Sequence, residues 1–527
     1  MNNPFTPFTP GIFVNSDAWN FWIFEHLEEM DRDGLAAAVR RDVDFYTRRG
    51  GVAAVFYNLN FQRSFYPTRV GTPYWKDLSL DADGQLLLRG RPLSGGRGDD
   101  DAFRRMFLAS RHVNELLPDF PALRYARCHE NGAEMWHSMR MDDVHHTCAG
   151  EEWLPQHGDL WLDRKDLLRA WYRHDWSGEW RDRALDYGKR EVFDYHLAMM
   201  REYVLGYESD GIELDWLRCL PVFAPGGDDA GTALLTDFMR ATRNACEEAA
   251  AKWGHPLRVA ARVPASLHEA YGVGLDVGAW AREGLVDVVI PSCRDISTEQ
   301  DCDVRLYRAL CPKPIILAPD LDFNIVSDNG WRYWMEFDAE TDCGFASGWY
   351  HDGADTVYLY NHFPRMAVDP AEHPGFPESL AYLGDREAVA HRPRRHIFTR
   401  HAPVGEGLFP LSPYPPELGA HSGNGSLMVN CGEGTAGRAA RVIVCTAVPA
   451  DLDVRVNTVP CGRLPADEPL PTRMPVSPGD RSRPPHSLQA AIPPGVLHDG
   501  WNSVELFNAG DADLSARDFV WLEVAVS

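Results

Sequence analysis

The sequence predicts an α/β chain: a (β/α)8 barrel followed by a β-sandwich. Three observations carry that expectation. Between Gly11 and Asn361, eight short apolar runs alternate with helical patterns, and each run ends on polar residues. The fourth run, SDGIELDWLR (Ser209–Arg218), sets Ile212 and Leu214 on one face of a strand and Glu213 and Asp215 on the other. Beyond His391 the texture changes to Pro- and Gly-rich sequence and then to short alternating strands separated by turns.

Taken in order, GIFVN (Gly11–Asn15) reads as the first strand, with Asn15, Ser16 and Asp17 at its tip. Leu35, Val39 and Val43 recur at helical spacing, and VAAVFY (Val52–Tyr57) is the second strand, ending at Asn58 and Asn60. A hairpin over Asp83–Leu93 and a helix over Phe103–Leu117 precede the third strand, Ala133–Met141. Alternation there puts Ser138, Arg140 and Asp142 on one face. The loop that follows, to about Asp182, is long and rich in His and Trp, as functional loops often are. An amphipathic helix over Val192–Tyr207 leads into strand four, and a helix over Leu234–Trp253 into strand five, Leu257–Pro264, which carries Arg258 and Arg262 on one face. Val286–Pro291, Pro314–Pro319 and Asp355–Tyr360 are strands six to eight, with helices expected near Trp331–Thr341 and Phe345–His351. The expected organisation is a barrel over residues 1–395, a Pro/Gly-rich linker over 396–425, and a galactose-binding-like β-sandwich over 426–527.

Composition narrows the function. A net charge of −25 argues against nucleic acid and against an anionic membrane surface, both of which need clustered Lys and Arg. No apolar run is long enough to span a bilayer, and no signal-peptide pattern is visible at the N-terminus. Eleven cysteines without CxxC spacing read as free thiols in a reducing compartment, so a cytoplasmic location is expected. The 17 Trp and 18 Tyr suit stacking on sugar rings, and equally suit large aromatic cores. A neutral carbohydrate substrate fits this chain; no cofactor is implied, and a homo-oligomer is allowed.

Two acids on one face of so short a strand call for a reason, because covered parallel strands are normally continuous apolar runs. On a barrel strand they point inward near the C-terminal mouth, where such enzymes keep their chemistry. Glycoside hydrolysis needs one carboxyl that donates a proton and a second, ionised carboxylate acting as nucleophile or base. Asp215 ranks first for the ionised role, because Arg140 and Arg262 lie on the neighbouring strands. The acid is Asp320, or Glu213 if Asp215 crowds it. Asn15, Tyr57, Asp142, His145, His146, Trp216, Arg218, Arg294 and Asn361, with the two arginines, are substrate-contact candidates by position. Glu213 with the arginines can alternatively form a structural ion lattice. A metal site from His145, His146, Asp142, Asp143 and His129 is a further alternative, although adjacent histidines rarely reach one ion and neither HxH nor HExxH is present.

DGIELDWL is similar to the DGxDxDxE signature of family 18 chitinases, which sits on strand four of a barrel. The resemblance places Asp210, Glu213 and Asp215 on that family's acidic positions and Leu217 where its catalytic acid stands. Leucine transfers no proton, so the likeness implies the fold and not chitinase chemistry. HSMRMDDVHH (His137–His146), ALDYGKREVFDYHLAM (Ala184–Met199), DGIELDWLR and WYHDGADTVYLYN (Trp349–Asn361) together resemble the family-10-like bacterial glycosyl hydrolases (glycosyl hydrolase-like 10), with Asp142 where Asn is the family's residue. That resemblance implies glycosidase-type action on a sugar and supplies no catalytic pair. The resulting expectation is a glycoside hydrolase using paired carboxylates. A metal-dependent hydrolase on the same barrel and a non-catalytic carbohydrate-binding protein are the alternatives.

Overall fold

The computed structural model describes residues 10–527 apart from 18–20, 24, 94–99, 148–149, 170–182, 219, 225–226, 294–297, 299–301, 328–332, 363–376, 399–417, 422 and 472. The chain forms two compact units. One comprises Met1–Ile290, Ala309–Ile316 and Asn361–Arg365, and the other Pro291–Arg308, Leu317–Tyr360 and Met366–Ser527. The fold class is α/β, with parallel strands and helices of the barrel type and antiparallel sheets towards the C-terminus.

In the first unit the strands are β1 (Ile12–Ser16), β2 (Val52–Asn58), β3 (Glu134–Arg140), β4 (Gly211–Asp215) and β5 (Arg258–Pro264). β6 (Val288–Ser292) and β7 (Ile316–Leu317) follow, giving the hydrogen-bonded order β7-β6-β5-β4-β3-β2-β1. The principal helices are α1 (Arg32–Thr47), α2 (Asp100–Leu116), α3 (Phe120–Glu130), α4 (Arg190–Gly206) and α5 (Asp228–Trp253). Two of them show a local cause for where they begin or end. The Asp31 side chain accepts from Gly34 N at 2.8 Å and caps α1, which buries Leu35, Val39 and Val43 at the predicted spacing. Gly254, at φ 85°, ends α5 in the left-handed conformation that glycine adopts without strain.

The register fixes what shares the inner face. Trp136 pairs with Gly211 and Gly211 with Arg258; Ser138 aligns with Glu213 and Ala260; Arg140 aligns with Asp215 and Arg262. Gly211 is required by the first of these rows. A Cβ there would lie 2.6 Å from the Trp136 ring and 2.7 Å from the Arg258 carbonyl oxygen. Trp136 stacks on Phe56 at 4.9 Å and donates to Glu134 at 2.9 Å, filling the space the missing side chain leaves.

In the second unit, β8 (Asp320–Asp322) pairs in parallel with β9 (Tyr358–Tyr360), and α6 runs over Ala339–Asp352. Two antiparallel sheets follow. The first has the order β10-β18-β12-β16-β15, built from β10 (Arg394–Phe398), β12 (Ala440–Thr446), β15 (Gly462–Arg463), β16 (His486–Ile492) and β18 (Phe519–Val526). The second, β11-β17-β13-β14, is built from β11 (Asn424–Asn430), β13 (Leu452–Val456), β14 (Val459–Pro460) and β17 (Trp501–Asn508). Val442, Val444, Leu488, Leu522 and Val524 of one sheet meet Val429, Val454, Val504 and Leu506 of the other in a shared apolar core.

Three expectations change. The seventh run is broken: Ile316–Leu317 extends the first unit's sheet, while Asp320–Asp322 pairs with β9, so Asp320 and Asp322 lie in a strand and not beyond one. The break falls at Pro319, which has no N–H to give a ladder. The helix expected over Trp331–Thr341 is instead an antiparallel hairpin of Asn324–Val326 with Trp334–Glu336, and α6 starts only after it. β10 straddles the expected boundary at 395/396 and pairs along its length with β18. Most of the expected linker, 399–417, lies outside the described residues.

Gly211→Ala should destabilise the chain by about 1–3 kcal/mol, because the added methyl meets an indole and a backbone carbonyl. Gly206→Ala, where an added Cβ meets nothing within 4 Å, should be neutral or better. Urea midpoints of the two variants against the parent check this.

Candidate active site

Asp215 closes β4 on the inner face, and its carboxylate takes three contacts from two donors. Arg262 Nη1 on β5 lies 3.2 and 3.3 Å from its two oxygens, and the backbone N–H of Arg218 lies 3.2 Å from Oδ1. The same Arg218 turns its guanidinium to His145, donating to Nε2 at 2.7 Å. His145 Nδ1 lies 2.9 Å from Asp143 Oδ1 and 3.0 Å from Oδ2. Arg218 has no acceptor, so Nε2 offers its lone pair and Nδ1 carries the proton: His145 is neutral here. Burial and the nearby arginines keep its pKa below the ordinary histidine value, against the pull of Asp143.

Arg140 completes the chain of contacts. Its guanidinium reaches Asp17 at 2.6 Å and Asp143 at 2.9 Å. Asn60 pins the arginine's backbone on both sides, donating to Arg140 O and accepting from Arg140 N, each at 3.2 Å. Burial alone would raise the pKa of Asp143, but His145, Arg140 and Arg218 outweigh it and hold this carboxyl far below the usual range. Asp17, Arg140, Asp143, His145, Arg218, Asp215 and Arg262 are thus one connected network.

Asn15 lies on the same face and donates to Ser138 Oγ at 3.2 Å. Glu213, one row below Asp215, aligns with Ser138 and Ala260 and is fully buried. Asn361 is buried with φ 59°, a left-handed conformation that asparagine tolerates. Asp320 is buried and accepts a hydrogen bond from the hydroxyl of Ser292, which belongs with it to the second unit. Arg294 lies outside the described residues.

Several candidates move. Arg140 is in register with Asp215, but its guanidinium serves Asp17 and Asp143. Tyr57 faces the helices: parity puts Asn58 on the inner face with Ser138, and the Tyr57 ring lies under the Arg124 guanidinium of α3 at 4.3 Å. Trp216 is fully buried between Tyr187 and Phe238, each at 5.5 Å, and offers no stacking face. Asp142 follows the end of β3, where alternation stops, and lines a cavity of about 20 Å³ with Arg140 and Asp143 on one side and Tyr195, His196 and Met199 of α4 on the other. Burial pushes its carboxyl well above the ordinary range. His146 turns away to Glu151, 3.8 Å off. Asp17 is the member that sequence reasoning passed over; counting two on from Asn15 places it on the inner face.

The proposed metal donors are not assembled. His129 on α3 lies 2.9 Å from Asp210, which also accepts from Met135 N at the opposite end of the strands. Both His145 nitrogens are engaged, leaving no lone pair for an ion. Among the described residues the geometric grouping of metal-type donors is His26, Glu28 and Glu29.

No protein-family model matches the chain, and no curated protein does. Solved structures similar to it include three whose likeness lies in the fold. A cycloisomaltooligosaccharide glucanotransferase from Paenibacillus sp. shares 9% identity over 98% of this chain and 57% of its own, with a TM-score of 0.33. A chitinase from Paenibacillus sp. str. FPU-7 shares 13% over 97% and 56%, with a TM-score of 0.36. The catalytic domain of a GH30 xylanase C from Talaromyces cellulolyticus shares 10% over 95% and 97%, with a TM-score of 0.33. The chain therefore spans a little over half the length of the first two. No helix among the described residues is long and apolar enough to cross a membrane.

Two outcomes follow from this geometry. Arg140→Leu leaves Asp17 and Asp143 buried without their shared cation and should cost about 3–5 kcal/mol in urea unfolding. The Asp210 bond raises the pKa of His129, so the stability it contributes is fully present below the unfolded histidine value, near 6.5. That contribution is lost as pH rises through the folded value. Tm measured across pH 5.5–8.5 should therefore fall less in His129→Gln than in the parent.

Proposed function

We propose that this chain is a glycoside hydrolase, of the family-10-like kind its sequence blocks resemble, with Asp215 as the ionised carboxylate. The observation that carries this reading is how Asp215 is held. It sits at the C-terminal end of an inner-face strand, where barrel enzymes place their catalytic groups. An arginine and a backbone N–H donate to it, but only at 3.2–3.3 Å. Arg140 grips Asp17 and Asp143 at 2.6 and 2.9 Å, the ordinary range of a charge-assisted bond. Asp215 is thus held in place without being fully engaged, as a nucleophile, or a base for water, requires.

The proton donor we assign is Glu213, two residues earlier on the same face and beside Ser138 and Ala260 in the strand register. The neutral His145, fixed between Asp143 and Arg218, positions the Arg218 segment whose N–H meets Asp215. The free thiols of all nine described cysteines support the cytoplasmic setting, with a saccharide or glycoside as substrate.

One observation favours a second reading. Asp215 is only 1% exposed, as a carboxylate in a structural ion lattice of a non-catalytic carbohydrate-binding protein would be. Asp215→Asn separates the two on a panel of aryl glycosides and oligosaccharides. As a hydrolase, the variant keeps its Tm within a few degrees and loses about 10²–10⁴-fold in kcat/KM. As a lattice member, it loses Tm and there is no turnover to lose. Glu213→Gln should remove the limb of the pH–rate profile set by the proton donor; if that limb survives there and vanishes in Asp320→Asn, the role belongs to Asp320.

A further inference from the structure

A cleft of about 980 Å³ lies on the outward face of the five-stranded sheet in the second unit. One row of that sheet makes it. Arg441 on β12 aligns with Ala525 on β18 and with Ala491 on β16, so two methyl groups flank a single long side chain. The next row on the same face carries Glu523, Ile443 and Gln489, which are larger. The two alanines therefore form the floor of a trough. One wall is the segment after β15, held by Leu464 N donating to Gln489 O at 2.9 Å and by Arg441 Nη1 donating to Pro469 O at 3.0 Å. The other wall is the first turn of α6, where Asp338 caps the helix and Glu340 follows.

The rim is balanced. Arg441 lies 3.7 Å from Glu468 and Arg473 lies 3.5 Å from Glu336, Arg394 is turned to Ala390 O and Thr435, and Glu340 adds a further negative charge. Asp338 is already engaged, 3.4 Å from Arg395 Nη1. An anion entering this cleft meets Glu340 and Glu468, and a cation meets Arg441 and Arg473. A neutral ring with an apolar face and many hydroxyls meets a methyl floor and both donors and acceptors at the edge. A volume near 1,000 Å³ is at the upper end for a ligand site and accommodates several sugar rings.

We infer that this cleft is a second binding site for a neutral oligosaccharide, built into the sandwich and working whether or not Asp215 is catalytic. Saccharide held here stays with the chain while other parts of the same polymer are free, which raises local substrate concentration.

The test is isothermal titration of the full-length Asp215→Asn chain with cellohexaose, xylohexaose, maltohexaose and chitohexaose in turn. At least one should bind, with a class of sites that Ala525→Phe and Arg441→Ala each weaken more than tenfold while Tm stays near the parent's. Ala525 and Arg441 are both half-exposed, so either variant alone suffices if the other misfolds. Binding of none of the four sugars, or binding that both variants leave unchanged, overturns the inference. Turnover by the parent without such a site overturns this inference alone. Cleft binding in a chain without turnover overturns only the hydrolase reading.

Discussion

Opposite charge on the inner face of the first unit's sheet is the constraint the rest of that unit obeys. A carboxylate taken out of water costs several kcal/mol unless a cation and further hydrogen bonds replace the solvent. Asp17, Asp143 and Asp215 are all buried, and two arginines, Arg140 and Arg262, are buried with them. Arg140 uses its fork to satisfy two acids at once, which works only because Asn60 fixes its backbone and the strand register sets its height. His145 and Arg218 then tie that pair to Asp215. Neutral histidine is the residue that can do this, since it donates at one nitrogen and accepts at the other.

The second unit meets the same problem with one arginine. Arg395 is 1% exposed and reaches Glu523 at 2.5 and 3.2 Å and Asp338 at 3.4 Å, while Trp521 donates to Glu523 at 2.8 Å. Gly344 on α6 leaves room for this, because a Cβ there would lie 1.9 Å from the Arg395 carbonyl oxygen. Asp338 thus serves two partners: it caps α6 and shares the Arg395 charge. The outcome is that β10 belongs to the sandwich through both its ladder and its side chain.

Where the sequence was read correctly, a periodic signal repeated over several residues. The apolar runs of β1 to β6 and the stripe of α1 are of this kind, and so is the parity that turned Glu213 and Asp215 inward. Errors came where that signal stops or was not counted. Asp142 lies beyond the last residue of β3, and nothing obliges alternation to continue there. Tyr57 stands near the strand end, but parity with Asn58 turns it outward. Trp216 is one residue past β4 and falls back into the apolar layer with Ile212 and Leu214. The partners of Arg140 were not legible at all, because Asp17 and Arg140 are 123 residues apart and only the fold brings them together.

The choice between a catalytic and a structural Asp215 turns on the quality of its bonds more than on its burial. A lattice whose purpose is rigidity gains most from short, forked contacts, and Arg140 makes them. Arg262 instead approaches both oxygens of Asp215 with a single nitrogen at 3.2 and 3.3 Å, which is not the bidentate geometry that a guanidinium and a carboxylate adopt when free to optimise. The register explains the difference. Arg262 and Asp215 sit directly across from each other on adjacent strands, so the backbone sets the distance at which they meet. A pair held off its optimum by the backbone retains electrostatic influence while leaving lone pairs weakly committed. An incoming electrophilic carbon or a water molecule competes for such lone pairs at lower cost than it would for those of Asp17 or Asp143.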